Sequence, residues 1–164
     1  MTTPRVSISI QTEDFDAGAE LARLRASDAR VGAVCCFVGT VRDQHPGAAD
    51  EAISALELEH YPGMTERAIA AMADDALRRF ALHGARVIHR VGRLAPLDQI
   101  VLVAVTAAHR HAAFQGCEFL MDYLKTQAPF WKKETTSSGA RWVDARAADD
   151  AALARWGIAG RNAG

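Results

Sequence analysis

Lys125, Lys132 and Lys133 all lie within LKTQAPFWKKE, residues 124–134, and the rest of the 164-residue chain spells every cation as arginine. A lysine walled in by apolar groups has its pKa lowered and can then act as acid, base or nucleophile near neutral pH. Arginine does not lose its proton in proteins and cannot do this. Phe130 and Trp131 supply apolar walls beside the paired lysines. An extended FWKKE sends Phe130, Lys132 and Glu134 to one face and Trp131 and Lys133 to the other, so a given pocket admits one of the pair. Lys125 falls in the last turn of a helix, where a cation is favourable in any case. The segment either needs an amine for proton transfer or covalent work, or holds a chance cluster in an arginine-biased chain.

Further cations sit where anions bind. His109 and Arg110 occupy the first turn of the expected helix 109–126, the end that already carries partial positive charge and unpaired N–H groups. Either an anion occupies Thr106–Arg110 or Arg110 turns back into solvent. Arg42, in FVGTVRD, follows a strand and a glycine that lets the chain turn, within reach of a phosphate or carboxylate. His60 and His89 are lone strand histidines of the kind usually found hydrogen-bonded within the fold. Cys35, Cys36 and Cys117 include no C-x-x-C pair, and adjacent Cys35 and Cys36 read as small core residues. The six histidines show no metal-ligand spacing beyond a weak His109-x-His111, so neither metal nor cofactor is expected.

The elements that must position these groups follow from periodicity. Val6, Ile8 and Ile10 alternate with polar residues as a half-buried strand, and Leu21 and Leu24 mark a helix capped by Asp14 or Asp16. The apolar run 31–41 reads as a central strand, 43–50 as a loop, and AISALELEHY as a strand with Leu56 and Leu58 inward. Ala68, Met72, Ala76 and Phe80 form the stripe of a helix stopped by Gly84. ARVIHRVG and QIVLVAVTA are strands separated by GRLAPLD, and the helix 109–126 turns Ala113, Cys117, Leu120, Met121 and Leu124 inward before Pro129. FWKKE and RWVDA are extended, and DDAALARWG is a short last helix.

With 49% hydrophobic and 24% charged residues, the chain suits one globular α+β domain with a single sizeable core, spanning 1–157 with a frayed tail at 158–164. A net charge of −1 argues against nucleic-acid or membrane-surface binding. No run is long and apolar enough for a membrane span, the N-terminus has no signal-like core, and the odd cysteine count suits a reducing compartment, so a cytoplasmic location is expected.

Five segments, FVGTVRD (37–43), LELEHYPGM (56–64), VIHRVGRL (87–94), AHRHAAF (108–114) and MDYLKTQAPFWKKE (121–134), together resemble the large, catalytic subunit of molybdopterin synthase, in family order over about residues 5–156. The resemblance implies an α/β-hammerhead domain with added antiparallel strands. It also implies a sulfurtransferase that makes the dithiolene of molybdopterin from cyclic pyranopterin monophosphate. The sulfur would come from the C-terminal Gly-Gly thiocarboxylate of a small ubiquitin-like subunit, within a heterotetramer built on a homodimer. By the same resemblance, Lys125 and Lys132 are the catalytic candidates, Arg42, His109 and Arg110 bind the anionic groups, and Lys133 falls where either cation is accepted. The loop DQHPGAAD departs from the family pattern, and residues after Trp156 carry no family signal.

Overall fold

The computed structural model describes residues 5–26, 28–44, 52–143, 151–152 and 154–157. Of the expected helix DDAALARWG, residues 151–152 and 154–157 are described, helical at Ala151, Ala152 and Ala154 and turning at 155–157, while the tail 158–164 lies outside them.

One sheet contains β1 (Val6–Gln11), β2 (Ala33–Thr40), β4 (Gly84–Arg90) and β6 (Gln99–Ala107) in the order β1-β4-β6-β2. β1 runs parallel to β4 and the other pairs are antiparallel. Helices α2 (Met64–Phe80) and α3 (Arg110–Thr126) cover one face, where Val87, Val101, Val103 and Val105 meet Ile69, Ala73, Phe119 and Leu120. Helix α1 (Ala17–Ala26) covers the other, with Leu21 and Leu24 on Ile88, Leu102 and Ala104. Asp16 rather than Asp14 caps α1, its Oδ1 accepting the Ala19 N–H at 3.0 Å. On this second face the Arg86 guanidinium donates to Ser7, Ser9 and Glu20 at 2.9–3.0 Å, which lets a half-buried cation remain paired.

Three local expectations need correction. The apolar run 31–41 is not central: β2 lies at the sheet edge, and β4 and β6 are the inner strands. Cys35 packs into the core under α2 and α3, and Cys36 and Val38 pack on the α1 side, but no residue of β2 is fully buried and Val34 and Phe37 are exposed, as suits an edge strand. The buried stripe of α2 is Thr65, Ile69, Ala73, Ala76 and Leu77, a rotation away from Ala68, Met72 and Phe80, which flank it. Finally, α2 stops at Ala81, left-handed with φ 53°, while Gly84 already belongs to β4.

The second sheet contains β3 (Ile53–His60), β5 (Gly92–Leu94), β7 (Phe130–Thr136) and β8 (Gly139–Val143) in the antiparallel order β5-β3-β7-β8. GRL, expected in a connection, is the edge strand β5. Gly92, at φ 86°, supplies the left-handed pivot that carries the chain from one sheet to the other. Leu56, Leu58 and Leu94 pack with Val41 beneath this sheet. The result is an α+β fold in which an added antiparallel sheet carries the lysine segment. Among the described residues, no helix is long and apolar enough to cross a membrane.

Candidate active site

The lysine segment is fixed at both ends. At the end of α3 the Tyr123 carbonyl accepts the N–H of Gln127 at 2.8 Å and of Ala128 at 3.3 Å, which closes the helix just after Lys125. The buried Thr65 hydroxyl donates to the Pro129 carbonyl at 3.1 Å and accepts the Tyr61 N–H at 3.0 Å, tying the start of α2 to the entry of β7. Phe130 then stacks on His89, ring centroids 3.8 Å apart and planes 19° from parallel.

β7 alternates as the sequence implies. Phe130, Lys132 and Glu134 stand opposite His60, Leu58 and Leu56, whereas Trp131 and Lys133 stand opposite Glu59 and Glu57. Lys132 therefore shares a face with Phe130, and its Nζ lies 3.9 Å from Oε1 of Glu134, which is only 1% exposed. Lys133 points to the other face, its Nζ 5.7 Å above the Trp142 ring. The two expected apolar walls do not close on one lysine. Trp131 packs edge-on against Tyr61 on the Lys133 side, the Lys132 side chain is 38% exposed and Lys125 is exposed. Strand alternation forces this split, since consecutive residues cannot face one pocket.

Two histidines line the same region. His89 is buried and its Nδ1 lies 2.8 Å from the Arg90 carbonyl oxygen, which can only accept, so the proton sits on Nδ1. Burial drives its pKa down to about 4, helped by the positive charge of Lys125 and by His60. His60 Nε2 lies 3.5 Å from Glu66 Oε1, and the other oxygen of Glu66 accepts the Gly63 N–H at 2.6 Å. Thus Lys125, His89, His60, Phe130 and Lys132 form one neighbourhood where the end of α3 meets β3, β4 and β7. The sequence offered weak signals for His60 and His89 and none for Glu66, whose partner lies across the Pro62–Gly63 turn.

Arg42 is exposed directly after Val41, which packs on Leu56, Leu58 and Leu94 under the second sheet. It leaves β2 at the end where Thr40 pairs with Gln99, the lysine end of the fold. His109 is the N-cap of α3 and Arg110 its first residue, both exposed, with no acidic residue in that turn. From Arg110 to Lys125 the helix rises roughly 22 Å. The fold therefore separates His109 and Arg110 from the two lysines by the length of α3.

Burial pushes the thiols of Cys117 and Cys36 up, with nearby Cys35 adding to the effect, so neither favours the reactive thiolate. Among the described residues no three His, Cys, Asp or Glu side chains gather as a metal site.

The MoaE protein family model matches residues 10–127. The chain belongs to the MoaE family. It is 60% identical over 157 residues to the molybdopterin synthase catalytic subunit of Ralstonia nicotianae, covering 96% of this chain and 88% of that one. The molybdopterin biosynthesis MoaE protein of Burkholderia ambifaria superposes with a TM-score of 0.79 at 60% identity, covering 93% of this chain and 99% of that one. A Helicobacter pylori complex of subunits 1 and 2 of molybdopterin-converting factor matches with a TM-score of 0.64 over 87% of this chain and 92% of that one. At 19% identity it shows the shared fold. This MoaE chain is an enzyme of molybdenum cofactor biosynthesis, acting in the sulfur-transferring step that forms molybdopterin.

Proposed function

We propose that this MoaE chain takes sulfur from the C-terminal thiocarboxylate of a small ubiquitin-like subunit and places it on cyclic pyranopterin monophosphate, in two deliveries per molecule. The Helicobacter pylori complex, which holds two subunits, supports a small protein partner. The chain works in the cytoplasm without a resident cofactor.

The observation that carries the reading is the convergence of Lys125 and Lys132 around the Phe130–His89 stack. Lys125 and Lys132 manage protons and stabilise developing negative charge. Arg42, at the same end of the fold, holds an anionic group of the substrate or of the partner's tail. Lys133, on the outer face of β7, adds positive charge at the rim. A thiocarboxylate is already a strong nucleophile, so orientation and electrostatics supply most of the acceleration.

His109 and Arg110 serve as the phosphate- or carboxylate-binding pair, with the N–H groups of α3 as further donors. At roughly 22 Å from Lys125 along α3 they are too far away to act on the same reacting atoms within one chain. In a homodimer, the pair of one protomer completes the lysine pocket of its partner.

The test is a single-turnover assay with thiocarboxylated partner and cyclic pyranopterin monophosphate, run on wild type and Lys125→Arg. Dithiolene formed by wild type and lost in Lys125→Arg is the expected result. Equal activity would show that Lys125 supplies charge alone, and an inactive wild type with a competent partner would refute the reading.

A further inference from the structure

His60 ends β3 opposite Phe130, one same-face step from Leu58, which pairs with Lys132. His60 and Lys132 are therefore diagonal neighbours on one face, about 7–8 Å apart. On the other side, His60 and Lys125 both act electrostatically on His89, so the two lie near the same buried ring. Its side chain is 18% exposed, enough for water to reach the imidazole.

Glu66 holds that imidazole. One carboxylate oxygen is anchored by the Gly63 N–H, and the other faces Nε2 at 3.5 Å. A carboxylate at Nε2 favours the tautomer protonated there and leaves Nδ1 as the free acceptor. Glu66 of α2 faces His60, Lys132 of β7 is its diagonal neighbour, and His89 of β4 senses both His60 and Lys125 of α3, while Glu59 of its own strand points to the opposite face. This cluster contains cations that stabilise negative charge and a His89 held neutral by burial. His60 is its half-open imidazole with a carboxylate behind it, the arrangement of a general base.

We propose that His60, held by Glu66, is the acid–base group that releases the partner's tail after each sulfur delivery. The inference rests on the sulfur-transfer reading above. Once the thiocarboxylate sulfur has bonded to a substrate carbon, that sulfur still carries the partner's terminal glycine carbonyl as a thioester. Water attacks the carbonyl carbon while His60 takes one of its protons. The tetrahedral centre then collapses, the C–S bond breaks with its electron pair on sulfur, and the sulfur regains a proton from His60. The products are the partner's carboxylic acid, which ionises in solvent, and a thiol on the substrate. No oxidant or reductant is required.

The test uses the two-subunit enzyme with thiocarboxylated partner, following the covalent partner–substrate adduct by intact-mass spectrometry from about pH 5.5 to 8.5. In His60→Gln the adduct forms as in wild type but persists, its hydrolysis slowed about 10²-fold or more. Glu66→Gln keeps an amide oxygen for the Gly63 N–H and so preserves the helix cap. Losing its charge slows adduct hydrolysis while leaving adduct formation unchanged, a split that a purely structural role would not produce. Hydrolysis in His60→Gln within about threefold of wild type, or adduct formation and hydrolysis slowed equally in Glu66→Gln, overturns the assignment. A wild-type enzyme that forms no adduct and no product refutes the sulfur-transfer reading itself, whereas normal adduct formation with unaffected hydrolysis removes only His60.

Discussion

Lowering the pH from 7 to 5.5 should weaken the fold through His89. Burial takes this imidazole from an ordinary 6.5 to about 4. Because its folded pKa lies below the unfolded one, the unfolded chain binds more protons between these values. Stability is therefore complete above about pH 6.5 and is lost as pH falls toward 4. For one such site the loss is about 1.4 kcal/mol at pH 5.5 and about 2.6 kcal/mol at pH 4.5. The informative comparison is His89→Phe, which keeps an aromatic ring against Phe130 but cannot titrate. Removing the donor to the Arg90 carbonyl lowers stability by about 1–3 kcal/mol at every pH. Urea unfolding of both proteins at pH 7, 5.5 and 4.5 then separates the two effects, since carboxylate titrations common to both cancel in the difference. Wild type should lose its advantage over the variant by the amounts above. Parallel stability curves for the two proteins would show that His89 is not held neutral, and the account of its burial would fail.

Cys117→Ala and Cys36→Ala should both retain sulfur transfer, with Cys117→Ala less stable by about 1–2 kcal/mol because it leaves a small cavity in the main core. Near-complete loss of transfer in either, with the protein still folded, would mean that sulfur passes through a protein thiol. The proposed pairing of protomers predicts complementation: Lys125→Arg and Arg110→Ala, each inactive alone, should regain activity when co-expressed as mixed dimers, because one of the two pockets is then intact. Mixed dimers purified through two tags and no more active than either parent would place both groups in one protomer's pocket.

The lysine segment shows how far sequence reaches. Alternation along a strand is a local property of the backbone, so FWKKE alone placed Lys132 with Phe130 and Glu134 and turned Lys133 away. The same locality identified both inner helices, the Leu56 and Leu58 face, and the cationic first turn of α3. Local pattern does not reveal what covers a face, which is why apolar β2 suggested a central strand and the α2 stripe was misplaced by a residue. The shared neighbourhood of His60, Glu66, His89 and Lys125 depends on where separate elements meet in space, and no spacing along the chain records it. Distance is likewise a tertiary result. The sequence supplied Lys125 and the His109–Arg110 pair as members of one expected site. The rigid rise of a 17-residue helix places them at opposite ends of the fold.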